Sequence, residues 1–259
     1  MDRMDYFMEL YGTLPRAGPG DNALTRKAFE MMEDLPPRPR ILDIGCGPGM
    51  QTIELLRLSE GTVVALDLLP QMIARARKAA ECAGVEDRLK TVQIDMNHMA
   101  FESATFDVIW SEGAIYCIGF EKGLAKVKDF VKPGGYVAIS EAVWLEPNPP
   151  REAVDFWKEY PEIDSVERKL DVLSELGYES INHFVLPASS WTELYYDPLA
   201  KRVSENEQRW KGIPEAEAVL AEARKEISVR GYWVRCPGYG GLPATMLAYG
   251  AGSACRSNL

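Results

Sequence analysis

The sequence is poor in basic residues, in histidine and in paired cysteines. Lysine and arginine number 29 against 39 acidic residues, which gives a formal net charge of −10. A broad nucleic-acid surface needs an excess of positive charge, so DNA and RNA partners are not expected. The two histidines and five cysteines contain no C-x-x-C pair, so neither a metal site nor a disulfide framework is expected. Scattered thiols favour a reducing, cytoplasmic location.

Apolar runs of the kind that cross a bilayer are also absent. The first residues, MDRMDYFMEL, lack the basic-then-apolar order of a signal peptide. Residues 236–255 carry no charge, but they contain five glycines and two prolines, which argues against a lipid-spanning helix. We therefore expect no membrane contact, and we expect a loose tail from Gly250 onwards.

Residues 40–145 alternate short apolar runs with amphipathic segments, which is typical of βαβ units and a parallel sheet. The predicted strands are Arg40–Ile44, Thr62–Leu66, Leu89–Ile94, Phe106–Trp110, Tyr136–Val143, Tyr178–Leu186 and Ala244–Tyr249. The predicted helices are one after the first strand that carries Ile53 and Leu56, then Pro70–Ala83, Phe120–Val131, Ala153–Tyr160, Asp164–Leu176, Trp191–Lys211 and Pro214–Val229. Pro133-Gly134-Gly135 is interpreted as a turn, and the whole chain as a single domain.

A glycine-rich stretch, ILDIGCGPGMQT, leaves the first predicted strand. Its glycines are Gly45, Gly47 and Gly49, whereas a dinucleotide-binding loop needs its third glycine at position 50, where this chain has Met. No Lys-Ser/Thr pair follows, so the loop is not a Walker loop either. Glycines let a backbone approach a ligand closely, and the following helix start offers free N–H groups.

Two carboxylates follow neighbouring strands. Asp67 ends the second strand, 18 residues after Gly49, where a carboxylate can accept both hydroxyls of a ribose. Asp95 ends the third strand and is positioned for the exocyclic amine of an adenine. Together with the glycine loop, these residues predict an adenosyl ligand without a pyrophosphate.

The segments ILDIGCGPG, VVALDLLPQM, VQIDM, FDVIWSEGAIY and VKPGGYVAIS resemble the consecutive motifs of class I S-adenosylmethionine-dependent methyltransferases. The likeness covers residues 35–145 and is strongest to the ubiquinone/menaquinone biosynthesis group. It implies an α/β, Rossmann-like fold: a seven-stranded, mostly parallel sheet of order 3-2-1-4-5-7-6, with strand 7 antiparallel and helices on both faces. Segments 178–187 and 244–250 complete this core, and segments 1–34, 147–176 and 188–230 form a cap.

The resemblance also implies S-adenosyl-L-methionine as the cofactor and S-adenosyl-L-homocysteine as its product. The RAGPGD segment resembles an arm that folds over the cofactor in some relatives, in which Arg16 would pair with the methionine carboxylate. The implied cofactor-binding residues are Arg16, Gly45, Cys46, Gly47, Gly49, Asp67, Leu68, Met72, Asp95, Met96, Ser111 and Glu112.

The expected reaction is in-line methyl transfer to a small molecule, achieved mainly by alignment of the two reactants. A base is needed only for a protonated acceptor; the candidates are Glu112, Tyr116, Glu141 and His183. Aromatic residues of the predicted cap either line the acceptor pocket, where they can attract a cation, or pack the cap onto the sheet: Trp144, Trp157, Trp191, Tyr195, Tyr196 and Trp210.

Two alternatives to a small-molecule enzyme stay open. One is a tRNA- or protein-directed methyltransferase, and the other is a non-catalytic protein that binds S-adenosylmethionine. The one basic cluster noted, Arg75, Arg77 and Lys78, is interpreted as a solvated helix face. The protein is expected to be a monomer or a homodimer.

Overall fold

The computed structural model describes residues 1–234 and 243–252 and contains one mixed β-sheet. Its strands are β1 (Arg40–Ile44), β2 (Thr62–Asp67), β3 (Leu89–Gln93), β4 (Phe106–Glu112), β5 (Val131–Trp144), β6 (Asp164–Ser165), β7 (Tyr178–Val185) and β8 (Pro243–Gly252). The order is β3-β2-β1-β4-β5-β8-β7, and the two-residue β6 pairs with the end of β5. Strand β8 is antiparallel to β5 and β7, while the other pairs are parallel. The predicted strand order and orientation are therefore confirmed.

Helices surround this sheet. They are α1 (Arg3–Leu10), α2 (Asn22–Glu30), α3 (Met50–Leu58), α4 (Pro70–Ala83), α5 (Phe120–Lys128), α6 (Arg151–Trp157), α7 (Val166–Glu175), α8 (Ser189–Trp191), α9 (Asp197–Asn206) and α10 (Pro214–Val234), with a π-helical turn at Thr192–Tyr196 between α8 and α9. The sequence predicts one continuous helix from residue 191 to 211, and the structure divides that segment at the π-helical turn and ends α9 at Asn206.

Several element boundaries differ from the prediction. Helix α5 ends at Lys128 and not at Val131, and α6 spans Arg151–Trp157 and not Ala153–Tyr160. Strand β8 continues to Gly252, so the first three residues of the predicted loose tail belong to the sheet.

Two further differences have local reasons. The helix expected from Asp164 begins at Val166, because Ser165 caps it by accepting a hydrogen bond from the Arg168 N–H at 3.2 Å. The predicted turn around Gly134 is an irregularity inside β5: the β4–β5 register shifts there, and Gly134 has a φ of +76°.

Side chains of the central strands alternate between two apolar layers. In β1, Ile41 packs on one face of the sheet with α3 and α4, while Leu42 and Ile44 pack on the other face with α5 and α7. Both faces of the sheet are thus covered, as in other largely parallel sheets.

A third apolar cluster, the cap core, is separate from both sheet layers. It joins α1, the segment 191–210 and α10 through residues such as Leu10, Trp210 and Leu220. The sequence also assigns 147–176 to the cap. Helix α7 instead packs on the sheet through Val172 and Leu173.

Residues 235–242 and 253–259 lie outside the described residues, and with them Cys236, Cys255 and most of the predicted loose tail. In the remainder of the chain, no helix is both long and apolar enough to cross a bilayer. No three His, Cys, Asp or Glu side chains within the described ranges are grouped so as to hold a metal ion.

Candidate active site

The glycine loop turns sharply at the carboxyl end of β1. The N–H groups of Gly45 and Cys46 both donate to the Leu66 carbonyl at 2.9 Å, which ties the loop to the end of β2. Gly45 has a φ of +71°, and a Cβ there would lie 2.3 Å from the Ala114 Cβ. Only glycine fits this position, so the loop runs directly against the segment that follows β4.

The loop ends where α3 begins, and its last glycine is equally constrained. Gly49 has a φ of +91°, and a Cβ there would lie 2.9 Å from the Ala76 Cα of α4. Inside the loop, Cys46 is fully buried, which raises the pKa of its thiol. Cys46 therefore packs as an apolar residue beneath the loop.

Asp67 links the loop to the end of β2. Its Oδ2 accepts the Gly47 N–H at 2.9 Å and its Oδ1 accepts the Leu69 N–H at 2.9 Å. A carboxylate has about four lone-pair positions, so roughly two remain for a ligand. The structure thus brings the predicted ribose-binding carboxylate and the glycine loop into direct contact.

The remaining predicted adenine-side residues lie on neighbouring elements. Asp95 caps a short 3₁₀ turn, Met96–His98, and its Oδ1 accepts the Asn97 N–H at 2.7 Å, which holds the pKa of the carboxyl below its ordinary value. The Met96 side chain approaches Gly45. Leu68 is 59% exposed, an apolar surface next to Asp67, whereas Met72 is buried in α4.

Arg16 and Glu112 form a buried ion pair beside the loop. Their side chains are 4% and 7% exposed. Glu112 Oε1 also accepts the Thr25 hydroxyl at 2.7 Å and the Trp110 indole N–H at 2.9 Å. The end of β4 is thereby connected to the N-terminal arm, residues 11–21.

Two further contacts hold this arm over the site. The Arg75 guanidinium donates to the carbonyls of Gly12 and Leu14, the latter at 2.8 Å, and the Gly20 N–H donates to the Ser190 carbonyl at 3.1 Å. Arg75 is therefore an anchor for the arm rather than part of a solvated helix face. An anchored arm keeps Arg16 at the loop.

One atom of the ion pair lacks a partner. Arg16 Nη1 is buried and donates no hydrogen bond to any described residue. A buried guanidinium N–H without an acceptor is costly, and a carboxylate is its strongest partner. The residues at the loop therefore fit the carboxylate of a methionine-type ligand.

Asp43 is a buried carboxylate that the sequence analysis missed. It lies in β1, fully buried, and accepts the Thr52 hydroxyl at 2.5 Å and the Gln51 amide at 3.5 Å. Burial raises its pKa to about 7. The sequence does contain a signal for it, because an aspartate within the otherwise apolar strand ILDI must be buried with its neighbours.

A cavity of about 240 Å³ adjoins this site at the carboxyl ends of β4 and β5. Its floor includes Gly113, Ser140 and Ala142, and the arm contributes Ala17, Gly18 and Pro19. The cap contributes Phe156, Trp157, Trp191, Tyr195, Tyr196 and Glu226, and Tyr116 completes the wall. Several predicted cap aromatics thus line the cavity, whereas Trp210 packs within the cap core and Trp144 packs beside α6.

The four candidate bases occupy different environments. Tyr116 lines the cavity, and burial raises the pKa of its phenol, so the hydroxyl stays protonated at neutral pH. Glu112 is committed to Arg16, Thr25 and Trp110. His183 is exposed on β7, the edge strand, and is not brought to the cavity. Ser111, implied as a methionine neighbour, is buried and donates to the Ile44 carbonyl at 3.0 Å.

Glu141 faces away from the cavity. Its neighbours Ser140 and Ala142 line the cavity, so alternation along β5 turns Glu141 to the opposite face. There its Oε1 accepts from Lys169 Nζ at 3.0 Å and from the Tyr160 hydroxyl. Burial raises the pKa of Glu141, and the Lys169 charge opposes that rise. The structure gives Glu141 an ion pair inside the core, not contact with an acceptor.

Part of the chain matches a known protein family. Residues 41–135 match the family model described as a methyltransferase domain. A sterol 24-C-methyltransferase of Gibberella zeae is 25% identical over 191 residues, covering 69% of this chain and 50% of that protein. The chain spans about half the length, or less, of the curated relatives it matches.

Solved structures agree on the fold. A methyltransferase from Geobacter sulfurreducens, crystallised with S-adenosyl-L-homocysteine, superposes with a TM-score of 0.81 at 18% identity, covering 95% of this chain and 97% of that one. The [4+2]-cyclase SpnF superposes with a TM-score of 0.76 at 17% identity, covering 98% and 95%. This chain has the class I methyltransferase fold, and its residues 41–135 match the model of a methyltransferase domain.

Proposed function

We propose that the protein transfers a methyl group from S-adenosylmethionine to a small-molecule acceptor. The observation that carries this proposal is the arrangement at the end of β1: a glycine loop tied to Asp67, with the unpaired Arg16 Nη1 beside it. Bound S-adenosylmethionine would supply a methyl group already activated on a positively charged sulfur. The chain's task is to hold the two reactants in line.

The residues around the glycine loop suit the adenosine end and the methionine end of S-adenosylmethionine. The free acceptor positions of Asp67 suit ribose hydroxyls, and Asp95, which is 39% exposed, has oxygen capacity left for an adenine amine. The apolar side chains of Leu68 and Met96 suit the adenine faces. At the other end, Arg16 Nη1 suits the methionine carboxylate.

The cavity next to the loop supports a small acceptor. The arm and the cap form most of its wall, and a mostly apolar lining with a few polar groups is typical of small-molecule sites. Alignment of a bound pair can lower a barrier by roughly 7–11 kcal/mol at best, so no catalytic triad is required.

The formal charge of −10 and the small size of the cavity both disfavour the tRNA- or protein-directed alternative. A cytoplasmic protein, as a monomer or homodimer, remains our proposal for its location and assembly. The proposed location rests on the scattered cysteines, which suit a reducing compartment.

Because a cyclase shares this fold, the test must detect methyl transfer and not binding alone. The protein is incubated with a small-molecule metabolite extract and methyl-labelled S-adenosylmethionine. We expect label in a small product, and we expect excess S-adenosylhomocysteine to suppress it. Donor binding with no labelled product from any extract would favour the non-catalytic alternative.

A further inference from the structure

The cavity beside the glycine loop is lined by aromatic rings and one carboxylate. Five of its lining residues, Tyr116, Trp157, Trp191, Tyr195 and Tyr196, carry electron-rich rings. Among the lining residues that the structure describes, Glu226 carries a carboxylate and none is lysine, arginine or histidine. Aromatic faces and a carboxylate both attract positive charge, and both repel an anionic ligand.

Two tyrosine hydroxyls orient the Glu226 carboxylate. Its Oε2 accepts the Tyr11 hydroxyl at 2.9 Å and its Oε1 accepts the Tyr195 hydroxyl at 2.9 Å. Among the residues whose side chains the structure describes, 1–179 and 182–228, no lysine or arginine forms an ion pair with it. Charged groups in protein interiors are normally paired, so a carboxylate held in this way favours a cation from outside the chain.

Trp191 adds an unsatisfied hydrogen-bond donor to the same cavity. It is 6% exposed, and its indole N–H has no hydrogen-bond partner among the described residues. A buried N–H of this kind needs an acceptor atom. A ligand that carries an oxygen as well as a positive charge would meet both requirements.

We propose that this cavity is the acceptor site and that it takes a small organic amine, held as a cation by the aromatic walls and Glu226. This inference rests on the proposed methyl-transfer function and names its acceptor class. The carboxylate in the wall, with no lysine, arginine or histidine among the other described lining residues, separates an amine from an anionic or uncharged acceptor.

The charge balance of the reaction agrees with such a site. An ammonium acceptor first loses one proton to water, and the free lone pair on nitrogen then forms the new N–C bond. The S–C bond breaks with its electron pair staying on sulfur, so the positive charge passes from sulfur to nitrogen. Aromatic faces and Glu226 stabilise the charge where it arrives, which is the requirement for lowering the barrier.

The test compares two probes that differ in charge but hardly in shape. Choline and 3,3-dimethylbutan-1-ol both carry a hydroxyl group, and neither can accept a methyl group on its quaternary centre. Each is titrated by calorimetry into the full chain, with and without saturating S-adenosylhomocysteine. We expect choline to bind at least tenfold more tightly than the alcohol.

Two isosteric variants on α10 localise the effect. Glu226→Gln should weaken choline binding at least tenfold and change binding of the alcohol and of S-adenosylhomocysteine less than twofold. Glu222→Gln makes the same charge change one turn earlier on the same helix, where the side chain is 56% exposed, and should leave all three affinities unchanged. The melting temperature of each variant checks that it is folded.

The wild-type comparison alone can overturn the proposal. Equal affinity for the two probes, or tighter binding of the alcohol, would show that the cavity does not select a cation. Failure of S-adenosylhomocysteine to bind would instead contradict the proposed function, and the probe titrations without it would still report on the cavity.

Discussion

Lys169 and Glu141 form an ion pair with almost no exposed surface, 3% and 0% of the two side chains. Lys169 Nζ also lies 4.1 Å from the centre of the Phe120 ring and donates to the Tyr160 hydroxyl at 3.0 Å. The pair thus joins α7 to β5 across one layer of the sheet. Its members are 28 residues apart in the chain, so no local pattern indicates it.

Removal of the lysine should be costly because it leaves a buried, unpaired carboxylate. We expect Lys169→Met to lower the free energy of unfolding by about 3–5 kcal/mol in urea denaturation. The double variant Glu141→Leu, Lys169→Met should recover much of that loss. Lys201→Met breaks an exposed pair and should cost less than about 1 kcal/mol. A loss for Lys169→Met as small as that of Lys201→Met would contradict this account.

Asp43 predicts a pH dependence whose sign follows from its environment. Burial raises its pKa from 3.8 to about 7, so between these values the folded chain holds a proton that the unfolded chain releases. The contribution of Asp43 to stability is therefore present at low pH, falls as pH rises towards about 7, and is level above that.

The variant Asp43→Asn removes this titration and keeps an oxygen that can accept the Thr52 hydroxyl. Urea unfolding at several pH values should show that the variant gains stability relative to wild type between pH of about 4.5 and 7.5. A constant difference across that range would mean that Asp43 has an ordinary pKa.

At the scale of elements, the start of α3 depends on one close approach. Gly49 and Gly84 both have left-handed backbones, with φ of +91° and +67°, but only Gly49 lacks space for a Cβ. The loop and α4 therefore pack through Gly49, whereas Gly84 only closes α4.

A matched pair of substitutions separates conformation from packing. Gly84→Ala should cost about 1–2 kcal/mol, the penalty for a left-handed backbone at a residue with a Cβ. Gly49→Ala should cost roughly 1–3 kcal/mol more, because Ala76 must also move. Urea unfolding with an unchanged m-value measures both, and equal losses would argue against the close packing of loop and helix.

The sequence predicts elements well where a pattern is local. Strands β1 to β5 are separated by turn residues and amphipathic helices, so their existence and order follow from periodicity and from the resemblance. The ends of helices and the irregular turns within them are less predictable. Helix α7 begins two residues later than predicted because Ser165 caps it, and no sequence pattern indicates the π-helical turn at 192–196. The arm was predicted, but its anchor at Arg75 joins residues 61 or more apart.

Candidate site residues are likewise predictable where they follow from a local sequence pattern. Gly45, Gly47 and Asp67 come together because they end neighbouring parallel strands, which the sequence reveals. Glu226 was missed, although it lies on the face of α10 that buries Val219 and Ala223, and a carboxylate on a buried helix face is a usable signal. Base candidates such as Glu141 and His183 were assigned by strand alone, and strand alternation and sheet edges decide where such side chains point.

At the scale of the whole molecule, three apolar layers define where chemistry can occur. Two layers cover the sheet and the third holds the cap together. Between the cap and the carboxyl edge of the sheet lie the loop, the arm and the aromatic cavity. Open α/β sheets bind ligands at this edge because the strand ends and helix starts leave polar groups free there.

The central claim, that the loop and Asp67 hold S-adenosylmethionine, is tested most directly by titration calorimetry. We predict binding of S-adenosylmethionine and S-adenosylhomocysteine and no measurable binding of NAD. Asp67→Ala should weaken binding by about tenfold to a hundredfold, or roughly 1.5–3 kcal/mol. Asp87→Ala, at the exposed opposite end of β3, should not change it. Tight NAD binding with no response to S-adenosylmethionine, or equal affinity in Asp67→Ala and wild type, would contradict the account.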